Sequence, residues 1–325
     1  VQWLNRQTTE VAEQRLWDIM VHNIQAYYNL IEYVGGLPHE LRMVRLGSDV
    51  LPVYTQRDWA YYWQQADVRN YCETHFAKVG ELARTLDVRL SMHPGQFTVL
   101  ASDNADIVDR SIEEFEYHTD VIRYMGYGKN WQDFKCNVHI SGRQGPAGII
   151  SAIQRLSPEA RNCITIENDE NKWGIADSLE LVDHCALVLD IHHHWCREGE
   201  YIQPTDDRFK RVIDSWRGVR PAIHYSYSRT ERLPEGYAHD TMPHFPTLLE
   251  AGYKKGKLRA HSDWYPNKLV NDYALSFLEY SDIMCESKFK NLASIDLYKY
   301  YKGRDNELSK QNVRSQQSTA EPVFG

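Results

Sequence analysis

Short apolar runs alternate with longer amphipathic stretches along most of this chain. The runs are rich in β-branched residues and cover Leu41–Leu46, Arg89–His93, Phe134–Ser141, Asn162–Asn168, Ala186–His193, Arg220–Ser226 and Asp282–Ser287. Helical periodicity fills the intervals, as in Val68–Leu86, Asp106–Tyr124 and Ile175–Cys185, and a leading helix is expected at about Thr9–Tyr33. This alternation predicts parallel strands joined by crossover helices.

The alternation fits either a closed barrel or an open, doubly wound sheet. The polar residues at the strand ends distinguish between these two folds. Six of the runs reach an ionisable residue at or near their ends: His93, His139, Glu167, Asp190, His224 and Glu286. In a closed barrel all strand ends converge on one face, whereas in an open sheet they spread along an edge. The sequence therefore predicts an α/β fold of the TIM (β/α)8 barrel type, with its active site on that face.

Seven predicted strands leave an eight-stranded barrel one strand short. The remaining strand should precede the leading helix, but residues 1–8 lack the pattern of a buried strand. We therefore expect the first strand to be absent from this sequence and the sheet to be open between its second and eighth positions. Residues 1–302 are expected to form one domain, and the polar, aperiodic segment 303–325 a disordered tail.

Composition narrows the class of protein without deciding its function. No apolar run is long enough to span a membrane and the N-terminus has no signal peptide, so we expect an intracellular monomer, cytoplasmic or nucleoid-associated, with no membrane partner. The six cysteines form no CxxC pair and are expected to be reduced. A net charge of −8 counts against a nucleic-acid partner. Divalent ions bound among the acidic residues would weaken that objection.

The residues at the strand ends are of the types that bind metal ions. Glu167, Asp190 and Glu286 each follow apolar residues, and a buried carboxylate needs a positive partner. With no basic partner expected in the strands, divalent ions would satisfy carboxylates and imidazoles together. His193 and His261 bring the candidate ligands to eight, more than one ion uses, so two or three ions are expected with Glu167 as a bridge.

A mixture of imidazole and carboxylate without thiolate favours a catalytic metal centre over a structural zinc site. Clustered divalent ions hold phosphate oxygens and lower the pKa of bound water, as phosphoester cleavage requires. A basic run precedes His261 and is either a solvated loop or a phosphate contact. Its charged members are Lys254, Lys255, Lys257 and Arg259.

In order along the chain, these motifs resemble those of the UV damage endonuclease family. The resemblance rests on Ser91–Gln96, Ile166–Glu170, Asp190–His193, Ile223–Ser226, His261–Asp263 and Glu286–Lys288, and extends from the leading helix to about residue 290. It implies a fold similar to the endonuclease IV and xylose isomerase-like barrels. It also implies nicking of damaged double-stranded DNA immediately 5′ of ultraviolet photoproducts and some other lesions. The implied centre is trinuclear and of the Mn²⁺ type, with Zn²⁺ or Mg²⁺ as alternatives.

Carried over residue by residue, the resemblance implies three ion sites. His93, His139 and Glu167 would hold one ion, Glu167, Asp190, His224 and Glu286 a second, and His193 and His261 would contribute to a third. The four ligands of the second site are the expected catalytic residues. Gln96 and Phe97 correspond to the pair that probes the lesion.

The chain departs from the family pattern at three places. Phe97 replaces a frequent tyrosine and keeps the aromatic face without the hydroxyl. Ala222 stands where some members have a carboxylated lysine that binds metal, which leaves the third site short of a ligand. The probing tyrosine of the family's first strand has no visible counterpart.

Three other functions fit parts of the sequence. An abasic-site endonuclease of the endonuclease IV type would use the same ions on another lesion. A sugar isomerase or epimerase would use the same barrel on a small polyol, although the Gln96–Phe97 pair and the basic run count against a small closed pocket. A nucleic-acid-binding protein without catalysis would not need so complete a ligand set.

Overall fold

The computed structural model describes residues 1–233 and 241–318, and strands and helices alternate through most of this length. The strands are β1 (Met43–Leu46), β2 (Arg89–Met92), β3 (Lys135–His139), β4 (Ile164–Glu167), β5 (Ala186–Val188), β6 (Ala222–Tyr225) and β7 (Asp282–Cys285). Each lies inside one of the predicted apolar runs. All seven strands lie where they were predicted, but the run Ala186–His193 was too long, because β5 ends at Val188 and Ile191 to His193 belong to a helix.

Helices lie between the strands and at both ends of the described chain. The helices are α1 (Thr9–Gly35), α2 (Ala66–Thr85), α3 (Ala105–Tyr124), α4 (Gly145–Arg155), α5 (Pro158–Cys163), α6 (Ile175–Ser178), α7 (Ile191–Glu198), α8 (Asp207–Ser215), α9 (Phe245–Glu250), α10 (Lys255–Leu258), α11 (Lys268–Leu275) and α12 (Asn291–Ser318). Short 3-10 helices cover Leu4–Arg6, His39–Leu41, Tyr62–Gln64, Leu179–Leu181 and Thr230–Arg232. None of the described helices combines the length and the apolar character that crossing a membrane requires.

The long helix α1 shows how the pattern of the sequence produces an element. Its N-cap, Thr8, accepts a hydrogen bond from the Val11 amide and so satisfies one of the free N–H groups of the first turn. Buried residues recur mainly every four positions along one face: Ala12, Leu16, Met20, Ile24, Tyr27 and Ile31. This stripe is buried in the large core cluster, which extends from the N-terminal turn to α12.

All strand pairings are parallel and follow the order of the chain. Strands β1 to β5 form one sheet, β6 and β7 pair with each other, and a parallel bridge between Asp190 and His224 joins the two parts. Parallel strands with crossover helices and convergent strand ends make this a TIM-barrel-like fold. The predicted fold class is confirmed.

The wall of the barrel is open between β1 and β7, which have no pairing with each other among the described residues. Strands β4 and β6 are buried throughout, whereas every residue of β7 is half-buried. We call this opening the seam. It was predicted between the second and eighth barrel positions, and residues 1–8 contain a 3-10 turn rather than a strand.

Two ion pairs bridge the seam, one at each end. At the carboxyl end, Arg45 Nη1 of β1 lies 2.7 Å from Glu286 Oε1. At the amino end, Arg89 Nη1 of β2 lies 2.5 Å from Asp282 Oδ2 of β7. A cleft of about 2040 Å³ runs along the seam, and residues at both ends of the strands line it, among them Asp282 and Glu286.

Two expectations about helices differ from the structure. The predicted helix Ile175–Cys185 is broken into α6 and the 3-10 turn Leu179–Leu181. The segment from residue 303 was expected to be a disordered tail, whereas the helical backbone of α12 continues through Ser318. The remainder of the predicted tail, residues 319–325, lies outside the described residues.

Candidate metal centre

Imidazoles and carboxylates converge where the strands end, in three overlapping groups. Within each group the candidate ligand atoms lie within 4.8 Å of one another. The groups are His93, His139 and Glu167; Glu167, Asp190, His224 and Glu286; and His139, Glu170 and His193. The first two have the membership expected from the sequence, and the third differs.

Strand register brings the members of these groups together. His139 and Glu167 are paired residues on β3 and β4, and Asp190 is bridged to His224. Neighbouring parallel strands in register place successive strand-end side chains on one edge of the sheet. His93 follows β2 by one residue and reaches the same place.

Glu167 lies at the centre of the cluster and is 1% exposed. Its Oε2 atom is 3.1 Å from His224 Nδ1, 3.6 Å from His93 Nε2 and 3.9 Å from His139 Nε2. The amide of Asn137, two residues before His139 on β3, donates to the same oxygen. Glu167 thus occupies a bridging position between the first two groups.

A buried asparagine fixes the start of α7 and the ligands there. The side chain of Asn168 bonds the backbone of Asp190 twice, accepting from its N–H at 2.8 Å and donating to its carbonyl at 3.0 Å. Asp190 is the N-cap of α7 and accepts a hydrogen bond of 2.7 Å from the His193 amide. His193 Nδ1 lies 3.0 Å from the Asn168 carbonyl oxygen. The three residues form one rigid unit beside Glu167.

Several atoms in the cluster are buried without a hydrogen bond among the described residues. They are Oε1 of Glu167, Oδ2 of Asp190 and Nδ1 of His224. Burial and the neighbouring carboxylates of Glu167 and Glu286 raise the pKa of Asp190 well above its usual range. Burial lowers the pKa of His224 to about 4, so its ring is neutral at pH 7. Unpartnered oxygens of crowded carboxylates beside a neutral imidazole are what a divalent cation satisfies. The residues present therefore fit such an ion.

The expectation that the strands contain no basic partner was wrong. Lys135 on β3 is fully buried, and its Nζ lies 2.7 Å from Nε2 of His224. Burial lowers the pKa of Lys135 to about 7, against the opposing charges of Glu167 and Glu286. Arg45 on β1 pairs with Glu286 from the other side. Both residues lie inside runs that were predicted as strands. A lysine or arginine within an otherwise apolar run was the signal that could have identified them as partners of the carboxylates.

The third group contains Glu170, which was not selected from the sequence. Its Oε2 lies 3.8 Å from His193 Nε2, and its Oε1 lies 3.1 Å from Nη1 of Arg259. His261, expected beside His193, belongs to none of the three groups in the described part of the chain. Its Nδ1 lies instead 2.8 Å from the carbonyl oxygen of Glu286.

Gln96 and Phe97 lie in the loop between β2 and α3, next to His93. Phe97 is 85% exposed, so it does not pack under its own loop. A hydrogen bond of 3.0 Å from the Thr98 amide to the Gly95 carbonyl closes the turn that carries the pair. Both side chains therefore lie at the surface beside the candidate metal centre.

The basic run before His261 is ordered and only partly exposed. Lys255 to Leu258 form α10 and Lys254 is its N-cap. Lys254 and Lys257 are exposed, whereas Lys255 is half-buried. Arg259 contacts Glu170 and the side chain of Asn171, which ties the end of this run to the third group.

Comparison with known proteins assigns the chain to a family. The model of the family described as UV-endonuclease UvdE matches residues 2–314. This chain belongs to that family. The match spans the described barrel and all three ligand groups, and the recognition made from the sequence motifs is confirmed.

Relatives of this UvdE chain cover most of its length at low sequence identity. A protein named UV DNA damage endonuclease from Bacillus mycoides (strain KBAB4) is 24% identical over 300 residues, which cover 88% of this chain and 82% of that protein. One of the same name from Bacillus thuringiensis subsp. konkukian (strain 97-27) is 25% identical over 295 residues, covering 87% and 82%. The crystal structure of SacUVDE matches with a TM-score of 0.69 at 22% identity, covering 92% of both chains. That structural match supports the barrel fold of this UvdE member.

Proposed function

We propose that this UvdE member is a metal-dependent endonuclease that hydrolyses a phosphodiester bond of damaged DNA, on the 5′ side of ultraviolet photoproducts. The observation that carries the proposal is the position of Glu167, buried between two groups of candidate ligands and shared by both. Family membership and relatives named UV DNA damage endonuclease support the DNA substrate.

The ligand sets would hold two or three ions, with Mn²⁺ the first candidate and Zn²⁺ or Mg²⁺ the alternatives. His93, His139 and Glu167 would bind one, and Glu167, Asp190, His224 and Glu286 a second. His193 with His139 and Glu170 would contribute to a third, to which His261 was also assigned from the sequence. When bound, such ions hold phosphate oxygens and make water a better nucleophile at neutral pH.

The chain itself positions these groups. Asn137 donates to Glu167 and so limits rotation of the central carboxylate. Arg45, whose side chain is 42% exposed and 2.7 Å from Glu286, adds positive charge on the open side of the centre, where a phosphate would enter. Asp190, His224 and Glu286 would act with Glu167 as the catalytic set, since their ligand atoms surround one point.

Exposed residues around the centre fit an extended anionic substrate. Phe97 and Gln96 project from the β2 side, and Phe97 has the flat face needed to fill a vacated base stack. Lys254 and Lys257 are exposed on α10 and at its N-cap, where they could contact phosphates together with Lys255 and Arg259. The family and the relatives named UV DNA damage endonuclease favour this substrate over the small polyol of a sugar isomerase.

Incision of defined duplexes tests the proposal. The purified protein, supplied separately with Mn²⁺, Zn²⁺ or Mg²⁺, is given end-labelled duplexes with one photoproduct, one abasic site or no lesion. We expect a single nick 5′ of the photoproduct, abolished in Glu167→Gln and unchanged in Glu180→Gln, which alters an exposed carboxylate elsewhere. Cleavage of the abasic duplex alone would favour an endonuclease IV type of activity. Equal cleavage of the undamaged duplex would overturn lesion specificity.

A further inference from the structure

Trp264 and Phe289 form an aromatic pair that is partly exposed at the site face of the barrel. Their ring centroids are 4.7 Å apart with an interplanar angle of 34°, and the residues are 39% and 42% exposed. Aromatic side chains stabilise a fold mainly through the area that they bury. Two contacting rings that each keep about two fifths of their surface exposed leave an apolar area available for a contact.

The pair lies close to the metal centre through short segments. Trp264 follows His261 by three residues, and Phe289 follows Glu286 by three. His261 Nδ1 lies 2.8 Å from the Glu286 carbonyl oxygen, so the two segments begin side by side. The position of the rings is thereby linked to the strand end that carries Glu286.

Hydrogen bonds hold the two segments together beyond that point. The Lys288 amide donates to the Ser262 carbonyl at 2.9 Å, and the Phe289 amide donates to the Asp263 carbonyl at 3.2 Å. The hydroxyl of the buried Ser262 also donates to the Trp264 carbonyl. The rings are thus held in place before any partner binds, which reduces the entropy lost on binding.

Two lysines flank the pair and place positive charge beside it. Lys288 and Lys290 are exposed on either side of Phe289, and neither forms an ion pair with another residue in the described part of the chain. Both line the same cleft as Gln96 and Glu286. Exposed aromatic rings with basic residues beside them are the arrangement that binds single-stranded nucleic acid.

We propose that the Trp264–Phe289 pair stacks on an unpaired base of the DNA, while Lys288 and Lys290 contact the adjoining phosphates. This inference rests on the proposed function and adds a second base contact, after β7, to that of Phe97 after β2. A lesion that opens the duplex leaves bases unstacked on either strand. A second aromatic surface would hold one of them away from the stack.

The test measures binding and stacking with 2-aminopurine, a fluorescent base whose emission is quenched by stacking. All proteins carry Glu167→Gln to prevent incision, and duplexes carry one photoproduct with 2-aminopurine at successive positions around it. We expect Trp264→Leu and Phe289→Leu each to weaken binding about tenfold and to change the emission at one position. Trp3→Leu, at another exposed tryptophan, should have no effect.

Two further variants separate stacking from other roles. Trp264→Phe keeps an aromatic face and should restore both affinity and emission, even if Trp264→Leu is less stable. Lys288→Gln and Lys290→Gln should each lower the slope of log affinity against log salt by about 0.7–0.9. An unchanged slope would mean that these lysines do not contact phosphate.

The outcomes distinguish this inference from the proposed function. Normal lesion binding and emission in well-folded Trp264→Leu and Phe289→Leu proteins would overturn the base-stacking role while leaving the endonuclease proposal in place. If the protein with Glu167 intact neither binds nor nicks a damaged duplex, both proposals are overturned. If Trp264→Phe fails to restore binding in a folded protein, the pair does not act through its aromatic face.

Discussion

A substitution of Phe97 should change DNA binding strongly and folding stability very little. The ring is 85% exposed, so only about 15% of its surface is removed from solvent by folding. Complete burial of a phenylalanine side chain contributes about 1.5–3 kcal/mol, so the buried part contributes about 0.2–0.5 kcal/mol. For a chain of this length such a loss lowers Tm by about 1 °C or less. The Phe97→Ala protein should therefore fold and melt almost normally.

The same substitution should have a large effect on lesion binding. Stacking of a base on an aromatic ring contributes about 1–3 kcal/mol. Loss of this contact corresponds to a decrease in affinity of about ten- to a hundredfold. Gln96→Ala should weaken binding less, because Gln96 offers hydrogen bonds to unpaired bases but little stacking area.

Fluorescence anisotropy with a photoproduct duplex measures this effect, in the Glu167→Gln background so that the DNA stays intact. Phe97→Tyr is the matched control, since it keeps the ring and should bind within about twofold of the parent. Tyr61→Ala, at an aromatic residue 46% exposed elsewhere, controls for unspecific loss of surface area. A Phe97→Ala protein that melts normally and binds lesions as well as its parent would refute the proposed stacking role of Phe97. Early unfolding would instead show that the ring belongs to the core.

Three other predictions concern metal and acid stability. Glu167→Gln should lower bound metal by more than one equivalent, measured by elemental analysis, because two groups share this carboxylate; unchanged metal content would contradict the bridge. Metal titration should show two tightly bound ions and one weaker one, since Arg259 competes for Glu170 and Ala222 supplies no ligand. Arg259→Met should make the third ion bind more tightly. Three equally tight ions in the parent would contradict this assignment. Burial lowers the pKa of His118 to about 4 from 6.5, so the unfolded chain takes up its proton first and stability falls as pH decreases from 6.5 towards 4. Urea unfolding measures the free energy of unfolding at pH 7 and at pH 4.5. Its decrease between the two should be about 2–3 kcal/mol smaller in His118→Phe than in the parent or in the control His22→Gln. Equal decreases would mean that another group causes the acid sensitivity.

The fold was predictable because local and long-range signals agree in this chain. Each strand lies in an apolar run, most of the strands are largely buried, and six of the seven runs end near a residue that could bind metal. Barrel closure brings these ends together whatever the loops do. The convergence of His93, Glu167 and Glu286 therefore followed from their positions at strand ends, without knowledge of the connecting segments.

The residues that were missed depend on geometry that periodicity does not contain. Lys135 lies in an apolar run, and only the inward direction of its side chain shows that it contacts His224. Arg45 and Glu286 are 241 positions apart and meet because β1 and β7 face each other across the seam. Glu170 follows β4 by three residues, where the loop path decides whether it reaches His193. The helical continuation of α12 has no amphipathic pattern that would have predicted it.

The seam should allow the barrel wall to widen and narrow, since ion pairs rather than a hydrogen-bonded ladder connect β7 to β1 and β2. Its two links are Arg45 with Glu286 and Arg89 with Asp282, all partly exposed to solvent. Salt screens such pairs, so the width of the opening should fluctuate more as ionic strength rises. Because Glu286 is also a candidate metal ligand, each widening would move it away from Glu167. Bound cations and the ion pairs across the seam would then stabilise the same closed wall, and amide hydrogen exchange in β1 and β7 would report how firmly it is held.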